Sequence, residues 1–385
     1  MPGYGRTLRA SLYWPVLLPT LMLVGLGLLV LSDITIVIAS RPIGDWHLRQ
    51  LSGIVLGFVG AGILMAIPYK TLVSKAYLLY ALTIFLLVLV LLVGTRRNAA
   101  QRWLDLYFFD VQPSEFMKLA LVLTLARFIR FKSSYKTFRG LGTPFLLTVL
   151  PMALVLKQPD LGTALLCVPI LFTMLFAAGA RLRHLVLILV LGASLIYPVY
   201  RYGLQPYQRA RIDVFLSQVN LKQLTREQKR AQDRNQGYQL QLSTTAIGSG
   251  GFSGLDSEEL QSTALSLVPE RHNDFIFAAV GNRWGLAGCI LVVFCFAGLL
   301  VSILAVAART RDPAGRLLCV GVFALFGFQA FVNLAMTVGL MPITGLTLPF
   351  LSYGRSSAVT AIVASALVCN VALRPSYEFG RGDFD

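Results

Sequence analysis

The sequence predicts an all-α integral membrane protein of about ten transmembrane helices, a single polytopic domain over residues 1–385 with a long extracytoplasmic loop at 201–274 between the seventh and eighth helices. Three observations lead there. Of the 385 residues 56% are hydrophobic and only 14% charged, too few charges to solvate a globule of that size. Apolar runs matching the roughly 17–25 residues of helix that cross the hydrocarbon recur along the whole chain. No large soluble domain remains once those runs are removed.

The runs fall at 12–32, 51–67, 76–94, 114–130, 142–156, 161–180, 184–200, 275–308, 316–339 and 356–373. The first is longer than a typical secretory core and lacks a small-residue cleavage site after it, so it reads as a retained span. Basic residues are kept on the cytoplasmic side of short loops. Arg6 and Arg9, Lys70 and Lys75, Arg130 and Lys132, Arg181 and Arg183, Arg309 and Arg311, then Arg374 and Arg381 fall on alternate sides of the count. Both termini are therefore expected in the cytoplasm, and 201–274 outside.

The formal charge of +16 is scattered between spans rather than gathered into an aromatic-laced patch, which argues against nucleic acid as a partner. The five cysteines all lie inside apolar runs with no Cys-x-x-Cys pair, so disulfide and zinc readings fail and small buried hydrophobes remain.

One outer loop breaks the charge rule. Arg96, Arg97 and Arg102 stand between the third and fourth spans, where guanidinium groups suit an anionic head group. Attraction to anionic lipid, or pairing with Asp105 and Asp110, is the plain alternative. Arg209 and Arg211 add two outward cations past the seventh span. The fourth span opens Gln112-Pro113-Ser114-Glu115-Phe116-Met117-Lys118, with Pro at an ordinary helix start. Glu115 and Lys118 are one turn apart on one face; charges at that depth are functional suspects, or else an ion pair tying the helix to the bundle. Lys157-Gln158-Pro159-Asp160-Leu161-Gly162-Thr163 breaks the chain after the fifth span and puts Asp160 at the outer edge, where it is expected to join Glu115 and Lys118 in a polar network.

Within 201–274, residues 217–236 read as mobile or weakly helical, and Gly248-Ser249-Gly250-Gly251-Phe252-Ser253-Gly254 as a re-entrant or interfacial turn allowing close backbone approach to a ligand. The loop closes on Pro269-Glu270-Arg271-His272-Asn273-Asp274, directly before the eighth run. A carboxylate at the lip of a membrane helix lies where an amphiphile's head group would lie, which makes Asp274 the leading chemical candidate. Asp is equally a favoured N-cap. His272 is grouped with it as a ligand contact, against the commoner case of a structural histidine. The last outer loop, 339–357, is apolar but punctuated by Gly and Pro, a connector or the wall of a groove open to lipid.

Gln112-Pro113-Ser114-Glu115-Phe116 with Lys118, Gln158-Pro159-Asp160-Leu161-Gly162-Thr163, the Gly248–Gly254 turn, Pro269-Glu270-Arg271-His272-Asn273-Asp274-Phe275 and Leu348-Pro349-Phe350-Leu351-Ser352-Tyr353-Gly354 together resemble the SEDS family of shape, elongation, division and sporulation proteins, in its elongation branch more than its division branch. The resemblance implies a peptidoglycan glycosyltransferase in the bacterial cytoplasmic membrane that polymerises lipid II at the outer face. It also implies a partner, a class B penicillin-binding protein whose transpeptidase domain cross-links the strands. The family's proposed catalytic aspartate matches Asp274, its functional Glu and Lys match Glu115 and Lys118, and its membrane-edge Asp matches Asp160. Three departures stand out: Gly281-Asn282-Arg283-Trp284-Gly285 replaces one or two common glutamates, Asn273 a common threonine, and Arg355 a common glycine.

On this reading Asp274 takes the proton of an attacking sugar hydroxyl. Arg209, Arg211 and the Arg96, Arg97 and Arg102 group steady the departing diphosphate, with a divalent cation (Mg or Mn) as a further bridge whose ligands the residues do not identify. A lipid II transporter lined by Glu115, Lys118 and Asp160, and a non-catalytic scaffold for the penicillin-binding partner, are the rival readings.

Overall fold

In the computed structural model residues 13–35, 46–97, 100–105, 110–130, 137–194, 196–203, 209, 237–256, 264–268 and 270–374 are described. Every apolar run contains a helix: α1 Trp14–Asp33, α2 Trp46–Ala66, α3 Ala76–Val93, α4 Pro113–Ile129, α5 Gly142–Lys157, α6 Leu161–Ala177, α7 Leu182–Ser194, then, past α8 Gly237–Ser249 in the long loop, α9 Ile276–Arg309, α10 Pro313–Thr337 and α11 Arg355–Leu373. Among the described residues seven helices are long and apolar enough to cross a membrane, namely α1, α2, α3, α5 with the turn before it, α9, α10 and α11; α6 and α7 are shorter apolar helices. The expected segment 217–236 and Arg211 lie outside the described residues.

The core sits around α4, α10 and α11. In α4 only Phe116 and Arg127 are not buried, and α11 and α10 are 83% and 67% buried against 28% for α2 and α3. α10 packs on α4, α6 and α9, α11 lies along α2, and α9 lies along α1. Outer faces are sheathed in exposed Leu, Val and Phe such as Leu78, Phe85 and Leu92. That sheath is a liability in water and the required surface in lipid.

Local chemistry sets the helix starts. Pro113 opens α4, where its missing N–H costs nothing. Asp160 caps α6 by accepting from the Thr163 N–H at 3.2 Å, and Asp312 caps α10 by accepting from the Ala314 and Gly315 N–H groups at 3.4 and 3.2 Å. The far end of the bundle is latched around that second cap. The buried Tyr69 hydroxyl donates to Asp312 at 2.8 Å, and Asn370 donates to the Leu64 and Ile67 carbonyls at 2.7 Å each. Burial first, then the Asp312 charge, push the Tyr69 phenol well above its usual range.

Three features depart from the sequence expectation. α2 starts at Trp46 instead of 51, because His47, Arg49 and Gln50 are polar yet helical. Thr95–Arg97, Ala100–Asp105 and Asp110–Val111 form a small antiparallel sheet, β1-β2-β3, in the loop before α4. The eighth run is broken, since Gly285 takes φ 60°, ψ −156°, a conformation essentially confined to glycine.

That break frees backbone groups of α9 in the middle of the protein, and the glycine-rich turn satisfies them. The Leu286 and Ala287 N–H groups donate to the Gly251 and Phe252 carbonyls at 2.9 and 3.2 Å, while the Leu255 N–H donates to the Asn282 carbonyl at 3.1 Å. A Cβ on Gly250 would collide with the Gly281 carbonyl, so the two backbones meet at a distance only glycine permits. The Gly248–Gly254 turn thus approaches another segment of its own chain, where a ligand was expected. Asn282 donates to the Ala246 carbonyl and Ser249 hydroxyl at 2.9 Å each. Arg283 pairs with Asp33 of α1 at 3.1 Å.

Gly285→Ala is expected to cost about 1–3 kcal/mol through strain, with a similar term from overpacking, read as a lowered melting temperature in detergent. Gly62→Ala, on α2 with open space at its Cβ, should be neutral or stabilising by about 0.5–1 kcal/mol. Equal melting temperatures for the two variants would remove the break from the fold's requirements.

Candidate active site

Asp274 stands one residue ahead of the helix cap. The N-cap position of α9 is Phe275, which makes no side-chain capping bond, and the Asp274 side chain is half-buried. Its backbone is held by three successive carbonyls. That of His272 accepts from the Tyr353 N–H at 2.8 Å, that of Asn273 from the Ser352 hydroxyl at 2.7 Å, and that of Asp274 from Asn333 Nδ2 at 2.9 Å. The loop closes on itself where the Asn273 and Phe275 N–H groups donate to the Glu270 carbonyl at 3.1 and 3.3 Å. Asn273 Nδ2 also donates to Glu270 Oε2 at 2.8 Å.

The 348–354 turn that supplies two of those donors is itself fixed from several sides. Gln50 of α2 donates to the Ser352 carbonyl at 3.2 Å and accepts from the Gly354 N–H at 3.0 Å. A Cβ on Gly27 would lie 2.6 Å from the Phe350 carbonyl oxygen, so α1 touches the turn backbone directly. Arg355 pairs with Asp110 of β3 at 3.1 Å, which gives the replaced glycine a structural use. Trp46, at the start of α2, stacks on His272 with ring centroids 4.0 Å apart and planes at 15°; Tyr353 leans on the same imidazole at 5.8 Å. Burial holds the His272 imidazole below the usual histidine range; Glu270 opposes that shift and Arg271 adds to it.

Glu115 and Lys118 pair at 2.8 Å and are buried, 6% and 1% exposed. Lys118 Nζ also donates to Gln329 Oε1 of α10 at 3.3 Å. The expected third member is elsewhere. Asp160, besides capping α6, lies 3.8 Å from Arg102 Nη1, and Arg102 donates through Nε to the Gln158 carbonyl at 3.1 Å and through Nη2 to the Pro159 carbonyl. Arg102 therefore holds the turn carrying Asp160. The correction follows from geometry: residue spacing leaves rotation about a helix axis open, and Asp160 faces Arg102 of β2.

Arg96 and Arg97 form β1 opposite Gln101 and Ala100, and Arg209 is partly buried. Among the described residues no three His, Cys, Asp or Glu side chains gather to hold a metal ion. Trp46, Gln50, Gln329 and Asn333 were not singled out from sequence. Gln329 and Asn333 had a signal available, two amides four residues apart inside an apolar run.

A histidine whose folded pKa is depressed adds stability above its unfolded value of about 6.5 and loses it as pH falls through the folded value. Melting temperature should therefore drop as pH is taken from about 8 to about 5, and drop less in His272→Phe, which keeps a ring against Trp46. Parallel slopes for the two proteins would mean that His272 does not carry the dependence.

Comparison with known proteins covers the same elements. Residues 14–377 match the model of the cell cycle protein family of FtsW, RodA and SpoVE. Peptidoglycan glycosyltransferase MrdB of Escherichia coli (strain K12) is 33% identical over 354 residues, 92% of each chain. Stage V sporulation protein E of Bacillus subtilis (strain 168) is 33% identical over 93% of this chain and 96% of its own. Among solved structures, Thermus thermophilus rod shape determining protein RodA superposes with a TM-score of 0.68 at 28% identity, covering 95% of this chain and 98% of that one. A chain from the structure described as showing the structural coordination of polymerization and crosslinking by a peptidoglycan synthase complex gives 0.78 at 30% identity, covering 93% and 97%. Since the match runs unbroken from α1 through the Asp274 loop to the end of α11, the chain belongs to the FtsW/RodA/SpoVE family.

Proposed function

We propose that this protein is a peptidoglycan glycosyltransferase of the bacterial cytoplasmic membrane that polymerises lipid II for cell elongation and rod shape. It has both termini in the cytoplasm, the Asp274 end of the bundle outside, and a class B penicillin-binding protein as its cross-linking partner. The observation that carries the reading is the Asp274 loop: a half-buried carboxylate at the mouth of α9 whose backbone is fixed by Tyr353, Ser352 and Asn333. The glycosyltransferase name of the MrdB relative supports the chemistry.

In the proposed reaction the 4-hydroxyl of one disaccharide attacks the anomeric carbon of another on the face opposite the lipid diphosphate. The C–O bond to the diphosphate breaks, the new glycosidic bond forms with inversion, and an α-linked donor becomes a β-1,4 strand. A sugar hydroxyl is a poor nucleophile until its proton is accepted, and a positioned carboxylate contributes about 10²- to 10⁴-fold by accepting it. Asp274 is assigned that role. Its fixed backbone matters because general-base catalysis depends on oxygen-to-oxygen distance before it depends on basicity. Charge gathering on the diphosphate is met by Arg96, Arg97, Arg209 and Arg211 in this proposal. Arg102 is left out of that group, because the Gln158, Pro159 and Asp160 turn occupies its guanidinium.

Purified Asp274→Asn, assayed on lipid II together with its partner, is expected to lose polymer formation by about 10²-fold or more with an unchanged melting temperature. An amide of the same shape keeps the local packing, so wild-type polymerisation would remove Asp274 from the chemistry. In proteoliposomes carrying a fluorescent lipid II analogue, leaflet exchange without polymer would instead point to transport.

A further inference from the structure

Of the ion pairs among the described residues, Glu115–Lys118 is the most deeply buried, with side chains 8% and 2% exposed. A lysine so enclosed offers no surface on which a sugar or diphosphate can rest. Besides Glu115 on its own helix, it donates to Gln329 of α10. An ammonium group only donates, so Gln329 must present its carbonyl oxygen to Lys118, at 3.3 Å. That fixes which way the amide faces. Nε2 is turned to the 339–355 loop, where it donates to the Thr347 carbonyl at 2.9 Å and the Thr347 hydroxyl at 3.3 Å. One turn further along the same face of α10, the fully buried Asn333 donates to the Leu346 carbonyl at 2.6 Å and to the Asp274 carbonyl at 2.9 Å. The adjacent residues Leu346 and Thr347 are thus clamped by two amides of one helix, and the second amide also holds the backbone of Asp274.

We infer that Lys118 is a positioning residue that acts on Asp274 through Gln329 and Asn333, and that it makes no contact with substrate. The inference rests on Asp274 being the base proposed above. Without the Lys118 proton donor, the buried Gln329 carbonyl oxygen is left without that partner, and the Thr347 contacts alone hold the amide in place. The clamp on Thr347 is then free to shift, and with it the Leu346 carbonyl on which Asn333 is held as it bridges to Asp274. Misplacement of a base slows the chemical step and leaves ground-state binding intact.

The test is steady-state polymerisation of lipid II by the full chain with its partner, for Lys118→Met, Gln329→Met and the double variant. Each single change is expected to lower kcat by about 10²-fold, with KM held within about 2-fold and the double variant no worse than the poorer single one. A rise in KM for Lys118→Met, wild-type kinetics in either variant, or losses that multiply in the double variant would overturn the inference. Should Lys118→Met leave Glu115 buried without its partner and fail to fold, Gln329→Glu decides alone. It keeps an acceptor for Lys118 and replaces only the donor facing Thr347, so kcat should fall at unchanged KM, and wild-type kinetics would overturn the inference. Asp274→Asn separates the two readings. If it polymerises normally the base assignment fails, whereas an inactive Asp274→Asn beside a Lys118→Met or Gln329→Glu enzyme with altered KM leaves the base standing and removes only the relay.

Discussion

A backbone group that leaves a helix at membrane depth has to find its partner inside the protein, since lipid offers none. Three departures from helix in this chain are resolved under that constraint, and together they build the site. The break at Gly285 is closed by carbonyls of Gly251 and Phe252. The turn between α5 and α6 is closed by Arg102. The approach to α9 is closed by Tyr353, Ser352 and Asn333. With the Glu270, His272, Asn273 and Asp274 carbonyls engaged, the backbone that carries the Asp274 carboxylate is held, which is the condition that its proposed role as a base would need.

α10 carries this constraint across the bundle. Its start is locked by the Asp312 cap and the Tyr69 hydroxyl, and near its other end Gln329 and Asn333 reach the two loops beside Asp274. Burying the Glu115–Lys118 pair against its middle is not a source of stability in itself. Desolvating two charges costs several kcal/mol per ion, and the attraction between them about offsets that cost when the geometry is good. What the pair supplies is a second anchor for the amide of α10, because Lys118 donates to the Gln329 oxygen while the Gln329 nitrogen donates to Thr347.

Much of the architecture was legible because spans announce themselves by length and hydropathy. Each apolar run holds a helix, with α8 lying outside them in the long loop, and the five cysteines are buried and free as their placement in those runs implied. Errors cluster where polarity and secondary structure part company. His47, Arg49 and Gln50 read as loop, yet they form the first turn of α2, and Gln50 is buried because it satisfies the backbone of Ser352 and Gly354. The short strands around Arg102 have no period long enough to register. Glycine density at 248–254 correctly signalled a close backbone approach, but composition cannot say whether the approaching group is a ligand or another stretch of chain. The grouping of Asp160 with Glu115 and Lys118 failed for a related reason. Sequence spacing fixes depth and leaves rotation about the helix axis open.

The sharpest distinction lies between two aspartates that look alike in sequence. Asp160 and Asp274 both precede an apolar run, both follow a polar turn, and both qualify as N-caps. In the structure Asp160 caps α6, faces Arg102 and is 3% exposed, and its Oδ1 serves both contacts. Asp274 is half-buried, and the cap position of its helix falls on the next residue. The Asp274 carbonyl accepts from Asn333 of α10, and the His272 and Asn273 carbonyls beside it accept from Tyr353 and Ser352 of the 348–354 turn. A backbone held from two sides at once is what the proposed role of Asp274 as proton acceptor calls for, because a base has to be placed before its basicity counts.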